Sequence, residues 1–185
     1  MNFKLIARSV SILTVLGAIP AFAAGETQEQ LAMQKEGIAL IRQVEEVARD
    51  VRYNAARLDS FVRGNQFTKW THSHHLTEIK NLVNDGLNPA LTRLREIQPH
   101  LPEWKQQSID KMMESAVALA GDTNSAIISR LESGSVPPAL DMEYRDLVTK
   151  IYGHAETLVK TSDAAGNYAQ ARLKAAEVGV NVPKH

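Results

Sequence analysis

The chain has 185 residues, of which 44% are apolar and 5% aromatic, and its 21 basic and 21 acidic residues balance. This length suits one domain of ordinary size, and the apolar content argues against disorder. Because nucleic acids and anionic membranes select clustered lysines and arginines, a neutral chain gives no reason to expect either as a partner. The absence of cysteine excludes disulfides, thiolate metal sites and cysteine nucleophiles.

Residues 1–23 have the three parts of a secretory signal peptide. Lys4 and Arg8 form a basic start, an apolar stretch covers 10–19, and an A-x-A cleavage pattern ends at Ala23. The apolar stretch has about half the length that a membrane-spanning helix needs. We therefore predict that this leader is cleaved and that the mature chain, with a net charge of −2, is periplasmic or secreted. An uncleaved membrane anchor is the alternative.

Helical periodicity dominates the predicted mature domain, residues 24–185. Apolar and small residues recur at alternating steps of three and four, the heptad pattern that is typical of amphipathic helices and coiled coils. Four segments carry this pattern: 26–63, 68–98, 102–133 and 138–178. Short connections make sequential helices antiparallel neighbours. The sequence therefore predicts an all-α, up-down-up-down antiparallel four-helix bundle, and no alternating strand pattern competes with it.

Two positions weaken the predicted helices. Pro89 removes a backbone donor and its ring clashes with the preceding turn, which predicts a kink near Leu87. Gly121 lies in the third segment, where the helix could bend or break. The core positions are rich in alanine, so we expect close helix packing with no room for a large cofactor. The same stripes suit a monomer or a homo-oligomer.

A cluster of histidines near the start of the second helix is the densest polar feature. It contains His72, His74 and His75. Glu78 follows His74 by four residues and His75 by three, so either pair could face one ion. These four residues make a candidate site for a divalent transition metal. The alternative is a set of solvated residues at a helix start, because the Glu-x-x-His arrangement of di-iron bundles is missing.

The first helix alternates arginines with carboxylates. Spacing of four residues pairs Glu45 with Arg49 and Arg42 with Glu46. We interpret these residues as a solvated, salt-bridged face rather than a basic binding surface.

Three aromatic residues lie around the first turn. They are Phe61, Phe67 and Trp70. Aromatic side chains at one end of a bundle are more often core than exposed, so we predict that they close the core. An exposed partner patch is the alternative.

No pattern in the chain points to catalysis. Paired catalytic carboxylates, a nucleophile elbow and a phosphate-binding glycine loop are all missing from the sequence. We therefore predict a non-enzymatic protein that binds another envelope component, which could be a protein, a peptide or a small apolar molecule. The alternative is a metal-binding bundle that uses the histidine cluster.

Overall fold

A computed structural model of the chain describes residues 28–64, 68–133 and 136–177. The predicted leader over 1–23, together with Phe67, lies outside these residues. Nearly all of the described residues are helical and none of them forms a strand, so the predicted all-α class is confirmed. Within the described part, every helix is too short or too polar to cross a membrane.

Five α-helical segments form four long helices. The segments are α1 (Gln28–Gly64), α2 (Lys69–Asn81), α3 (Asn88–Ile97), α4 (Glu103–Glu132) and α5 (Met142–Glu177). A π-helical turn, Leu82–Leu87, joins α2 to α3, and the three elements make one interrupted second helix over 69–97. We predicted a fourth helix from 138, but Pro138–Leu140 forms a separate 3-10 turn and α5 begins at Met142.

All four long helices contribute to one apolar core. Helix α1 and helix α4 each pack against α5 on one side and against the second helix on the other, so α5 and the second helix face each other diagonally. The seven core positions that the heptad pattern assigns to α1 are all buried: Ile41, Val44, Ala48, Val51, Ala55, Leu58 and Val62. Burial of such amphipathic faces is what stabilises helices of this length.

The interruption predicted from Pro89 takes the form of the π-helical turn. Proline has no N–H to donate to the preceding turn, and the pattern of backbone hydrogen bonds changes in the residues just before it. The backbone N–H of Asn88 donates to the Val83 carbonyl, five residues back instead of four. One extra residue is thereby accommodated in the turn before α3 begins at Asn88, and the kink near Leu87 stays a prediction.

Two glycines of the helices have different surroundings. A Cβ atom on Gly86, in the π-helical turn, would lie only 2.7 Å from Cγ1 of Val47, so glycine allows a close approach to α1. Gly121 is exposed, and a Cβ there would meet no atom within 4 Å. The break predicted at Gly121 is wrong, because α4 runs through it without interruption.

Charged side chains also connect α1 to α5. Glu45 is buried and accepts hydrogen bonds from Arg42 at 2.6 Å and from Arg49 at 2.5 Å. Burial acts to raise the pKa of Glu45, but these two arginines hold it below its ordinary value. Arg42 also donates to Asn167 on α5 at 2.7 Å. The predicted pair of Arg42 with Glu46 is therefore replaced by one with Glu45, which lies toward α5.

Candidate functional site

The start of α2 determines where the clustered histidines lie. The Thr68 hydroxyl accepts the backbone N–H of Thr71 and caps the helix, which begins at Lys69. From this start His72 and His75, three residues apart, share the helix face that packs on the core, and both are buried. His74 lies on the exposed side.

His72 pairs with Tyr144 of α5 across the core. Its Nδ1 atom lies 3.0 Å from the tyrosine hydroxyl, and the two rings meet edge to face with centroids 5.6 Å apart. Burial lowers the pKa of His72 to about 4, and the charge of Arg130 acts in the same direction. Burial also raises the pKa of Tyr144 well above its ordinary value. Near neutral pH both side chains are therefore uncharged.

His75 has a different partner, on α1. Its Nδ1 atom lies 3.1 Å from the side-chain oxygen of Asn54, so this nitrogen carries the proton and donates. The centroid of the Phe61 ring lies 5.2 Å from that of the His75 ring and 6.3 Å from that of the His72 ring. Burial, assisted by the charge of Arg57, lowers the pKa of His75.

The four residues of the candidate metal site therefore do not converge. His72 and His75 face different partners in the interior, while His74 and Glu78 are exposed. In the described part of the chain, no three His, Cys, Asp or Glu side chains form a group that could hold a metal ion. The alternative interpretation, solvated histidines, is wrong for His72 and His75. Metal binding by the cluster stays a prediction.

Phe61 and Trp70, the two described residues of the predicted aromatic cluster, have different surroundings. Phe61 is half-buried and packs against the ring of the buried His75. Trp70, however, is 74% exposed and stacks on the ring of His74, with centroids 5.5 Å apart and planes within 4°. The prediction that Trp70 closes the core is therefore wrong. Trp70 is the second residue of α2 and lies beside the exposed His74, on the side of the helix that faces solvent.

Arg130 of α4 lies beside Tyr144 and is only 2% exposed. Its guanidinium lies 5.1 Å from the centre of the Tyr144 ring and 3.5 Å from the carboxylate of Asp141, and it donates to the Val136 carbonyl. Its Nε has no hydrogen-bond partner among the described residues. Arg130 was not singled out from the sequence, although it follows the core residue Ala126 by four residues, a spacing that continues the buried stripe.

Asp141 closes the connection between α4 and α5. One carboxylate oxygen accepts the Ser133 hydroxyl at 2.6 Å, and the other accepts the backbone N–H of Tyr144 at 3.0 Å, which caps α5. Burial acts to raise the pKa of Asp141, but these hydrogen bonds and the charge of Arg130 hold it below its ordinary value. We call His72, Arg130, Asp141 and Tyr144 the end network.

The end network joins three helices through buried polar contacts. His72 is neutral, Tyr144 is protonated, and the cation of Arg130 lies next to the carboxylate of Asp141.

Large apolar side chains are exposed around this network. We call them the apolar end surface: Trp70, Leu131, Val136, Leu140 and Met142. Met142 is 82% exposed and follows Asp141 directly, and the Val136 carbonyl is held by Arg130. The end network therefore contacts the backbone at Val136 and Tyr144, on either side of Leu140 and Met142.

Comparison of the chain with protein-family models, with curated proteins and with solved structures gives no match. The function is therefore argued from the residues of this chain alone. Two features bear on it: the buried polar network at one end of the helices, and the apolar side chains exposed around that network.

Proposed function

We propose that this protein is exported and that it acts, without catalysing a reaction, by binding another protein of the cell envelope through its apolar end surface. One observation carries the proposal: five large apolar side chains are exposed around one end of the helices. Single exposed apolar residues are common, but a group of them around one connection is typical of an interaction site.

The arrangement that we propose for the mature domain is an up-down-up-down antiparallel bundle. Arg42 in the first half of α1 contacts Asn167 in the second half of α5, which supports an antiparallel pair. His72 near the start of the second helix contacts Tyr144 near the start of α5, which supports a parallel, diagonal pair. In this topology the apolar end surface spans the starts of α2 and α5 and the end of α4.

Contacts among the described residues next to this surface support binding there. The connection between α4 and α5 is held by the Ser133–Asp141 hydrogen bond and by the contact of Arg130 with Val136. A surface that is already ordered loses less conformational entropy when a partner binds. Leu140 and Met142, which flank Asp141, are the residues that we expect to contribute most.

Site-specific cross-linking tests the proposal. A photo-reactive amino acid at position 140 of the full chain, expressed in its own host, should cross-link one envelope protein. We expect purified partner to bind the Leu140→Glu, Met142→Glu double variant at least tenfold more weakly than the parent, since buried anchor residues each contribute about 1–2 kcal/mol. The control is Val117→Glu, an equally exposed apolar position in the middle of α4. Equal affinity of the parent and the double variant would refute the surface.

Export is tested by the intact mass of the protein from its host. We expect the mass of residues 24–185, and a mass that includes 1–23 would refute cleavage. The alternative function, a metal-binding bundle that uses His72, His74, His75 and Glu78, is tested by titration with Zn²⁺ in a calorimeter. Heat that disappears when the three histidines are replaced by alanine would support that alternative.

A further inference from the structure

A groove lies between α4 and α5, far from the end network. Trp104, at its edge, is 26 residues from Arg130 along α4, roughly 39 Å by helical rise. The groove has a volume of about 600 Å³, within the range of small-molecule sites. It is lined by nine residues: Trp104, Gln107, Ser108, Lys111, Lys160, Thr161, Ala164, Ala165 and Tyr168.

One end of the groove is aromatic. Trp104 of α4 and Tyr168 of α5 meet edge to face, with ring centroids 4.6 Å apart and planes at 84°. Trp104 packs against the core, which fixes its ring, while Tyr168 is 45% exposed. The small side chains of Ala164 and Ala165 on α5 leave open space beside these rings. The groove therefore offers a preformed apolar surface to a flat ring.

The other end of the groove is cationic. Lys111 lines it from α4 and Lys160 from α5, and none of the nine lining residues is acidic. Lys160 has one ion pair, with Glu156 outside the lining, and Lys111 has none among the residues that the structure describes. Two ammonium groups from facing helices, with no carboxylate between them, favour an anion.

A further positive charge near the two aromatic rings also favours an anionic ligand. Arg172 lies 5.8 Å from the centre of the Tyr168 ring, which adds a third cation near the groove. A ligand that fits this groove combines an aromatic ring with an acidic group.

We propose that this groove binds a small aromatic molecule that carries an acidic group such as a carboxylate or a sulfonate. Its ring packs against Trp104 and Tyr168, and its acidic group lies between Lys111 and Lys160. This site is separate from the apolar end surface, so it does not depend on the proposed function.

The test uses the anionic dye 8-anilinonaphthalene-1-sulfonate and its uncharged analogue N-phenyl-1-naphthylamine. The chain has two tryptophans, so Trp70→Phe leaves Trp104 as the single fluorescence reporter. We expect the anionic dye to bind with a stoichiometry of one and to quench Trp104. The uncharged analogue should bind at least tenfold more weakly, because it cannot pair with the lysines.

Charge reversal locates the anionic group. We expect Lys111→Glu with Lys160→Glu to weaken binding of the anionic dye by about tenfold or more, the usual effect of losing a charged hydrogen bond. The control, Lys69→Glu with Lys80→Glu, changes the net charge equally at two exposed lysines outside the groove lining. The proposal is overturned if Trp104 is not quenched, if both dyes bind equally, or if the two double variants behave alike.

Discussion

The imidazole of His72 on α2 and the hydroxyl of Tyr144 on α5 are joined by a hydrogen bond of 3.0 Å, and both side chains are fully shielded from solvent. Arg130 of α4 lies against the same tyrosine ring. Three of the four long helices therefore meet at one buried polar contact. Because His72 must stay neutral beside the Arg130 cation, the stability of this helix end depends on pH.

We expect the free energy of unfolding to fall as the pH is lowered from about 6.5 to about 4. In this window the unfolded chain, with an ordinary histidine pKa near 6.5, binds a proton that folded His72 does not bind, because its pKa is about 4. The loss from His72 is about 2–3 kcal/mol. The lowered pKa of His75 adds to it in the same direction. Urea unfolding at pH 7 and pH 4.5 measures the difference.

The variant His72→Gln separates this effect from general acid destabilisation. Glutamine keeps a donor and an acceptor near Tyr144 but does not titrate. The pH dependence of its unfolding free energy should be flatter than that of the parent by about the contribution of His72. His74→Gln, at the exposed histidine of the same turn, should keep the parent's dependence. A parent-like slope in His72→Gln would show that another group controls the response.

A second prediction concerns the buried pair of Arg130 and Asp141. Arg130→Ala should lower the free energy of unfolding by about 3–5 kcal/mol, because it leaves the Asp141 carboxylate without its cation and the Tyr144 ring without its neighbour. A double-mutant cycle with Asp141→Asn should give a coupling energy of about 1–3 kcal/mol. Asparagine at position 141 retains an oxygen that can accept the Tyr144 N–H and cap α5. The cycle therefore separates the interaction between the two charges from the loss of the cap.

The control for this cycle is the exposed pair of Lys150 and Asp146. The ammonium nitrogen of Lys150 lies 2.7 Å from the Asp146 carboxylate, which is closer than the 3.5 Å between Arg130 and Asp141. Both side chains of the Lys150–Asp146 pair are, however, more than half exposed. Solvent screens such a pair, so its coupling energy should be clearly smaller than that of Arg130 with Asp141. Equal coupling in the two cycles would mean that burial does not strengthen the Arg130–Asp141 contact. Urea unfolding of the single and double variants measures both energies.

Much of the fold could be predicted because its determinants are local. The heptad stripe of α1 identifies core residues such as Val44 and Leu58, since helix geometry alone puts them on one face. Pro89 indicates where the second helix is interrupted, but the close approach of this helix to α1 depends on a residue that is distant in sequence. Val47 leaves space there only for a residue without a side chain, and this restriction is not readable from local sequence.

The candidate site was harder to predict because its contacts are distant in sequence. The spacing of His72 and His75 puts them on one face, but it does not tell whether that face meets solvent, a metal or the core. The deciding partner, Tyr144, lies 72 residues away from His72. Arg130 occupies a core position of the stripe, yet arginine is rarely buried, and so the pattern alone gave no reason to single it out.

The last prediction concerns Gly86, where the second helix approaches α1. Gly86→Ala should lower the free energy of unfolding by about 1–3 kcal/mol, because a Cβ 2.7 Å from Cγ1 of Val47 forces a short, β-branched side chain or the backbone to move. Gly121→Ala is the matched control within an exposed helix interior, where alanine should stabilise the chain by about 0.5–1 kcal/mol. Val47→Ala in the Gly86→Ala background removes the clashing methyl groups and should recover part of the loss. Thermal and urea unfolding of the four proteins measure these differences, and equal effects of the two glycine substitutions would contradict a close approach at Gly86.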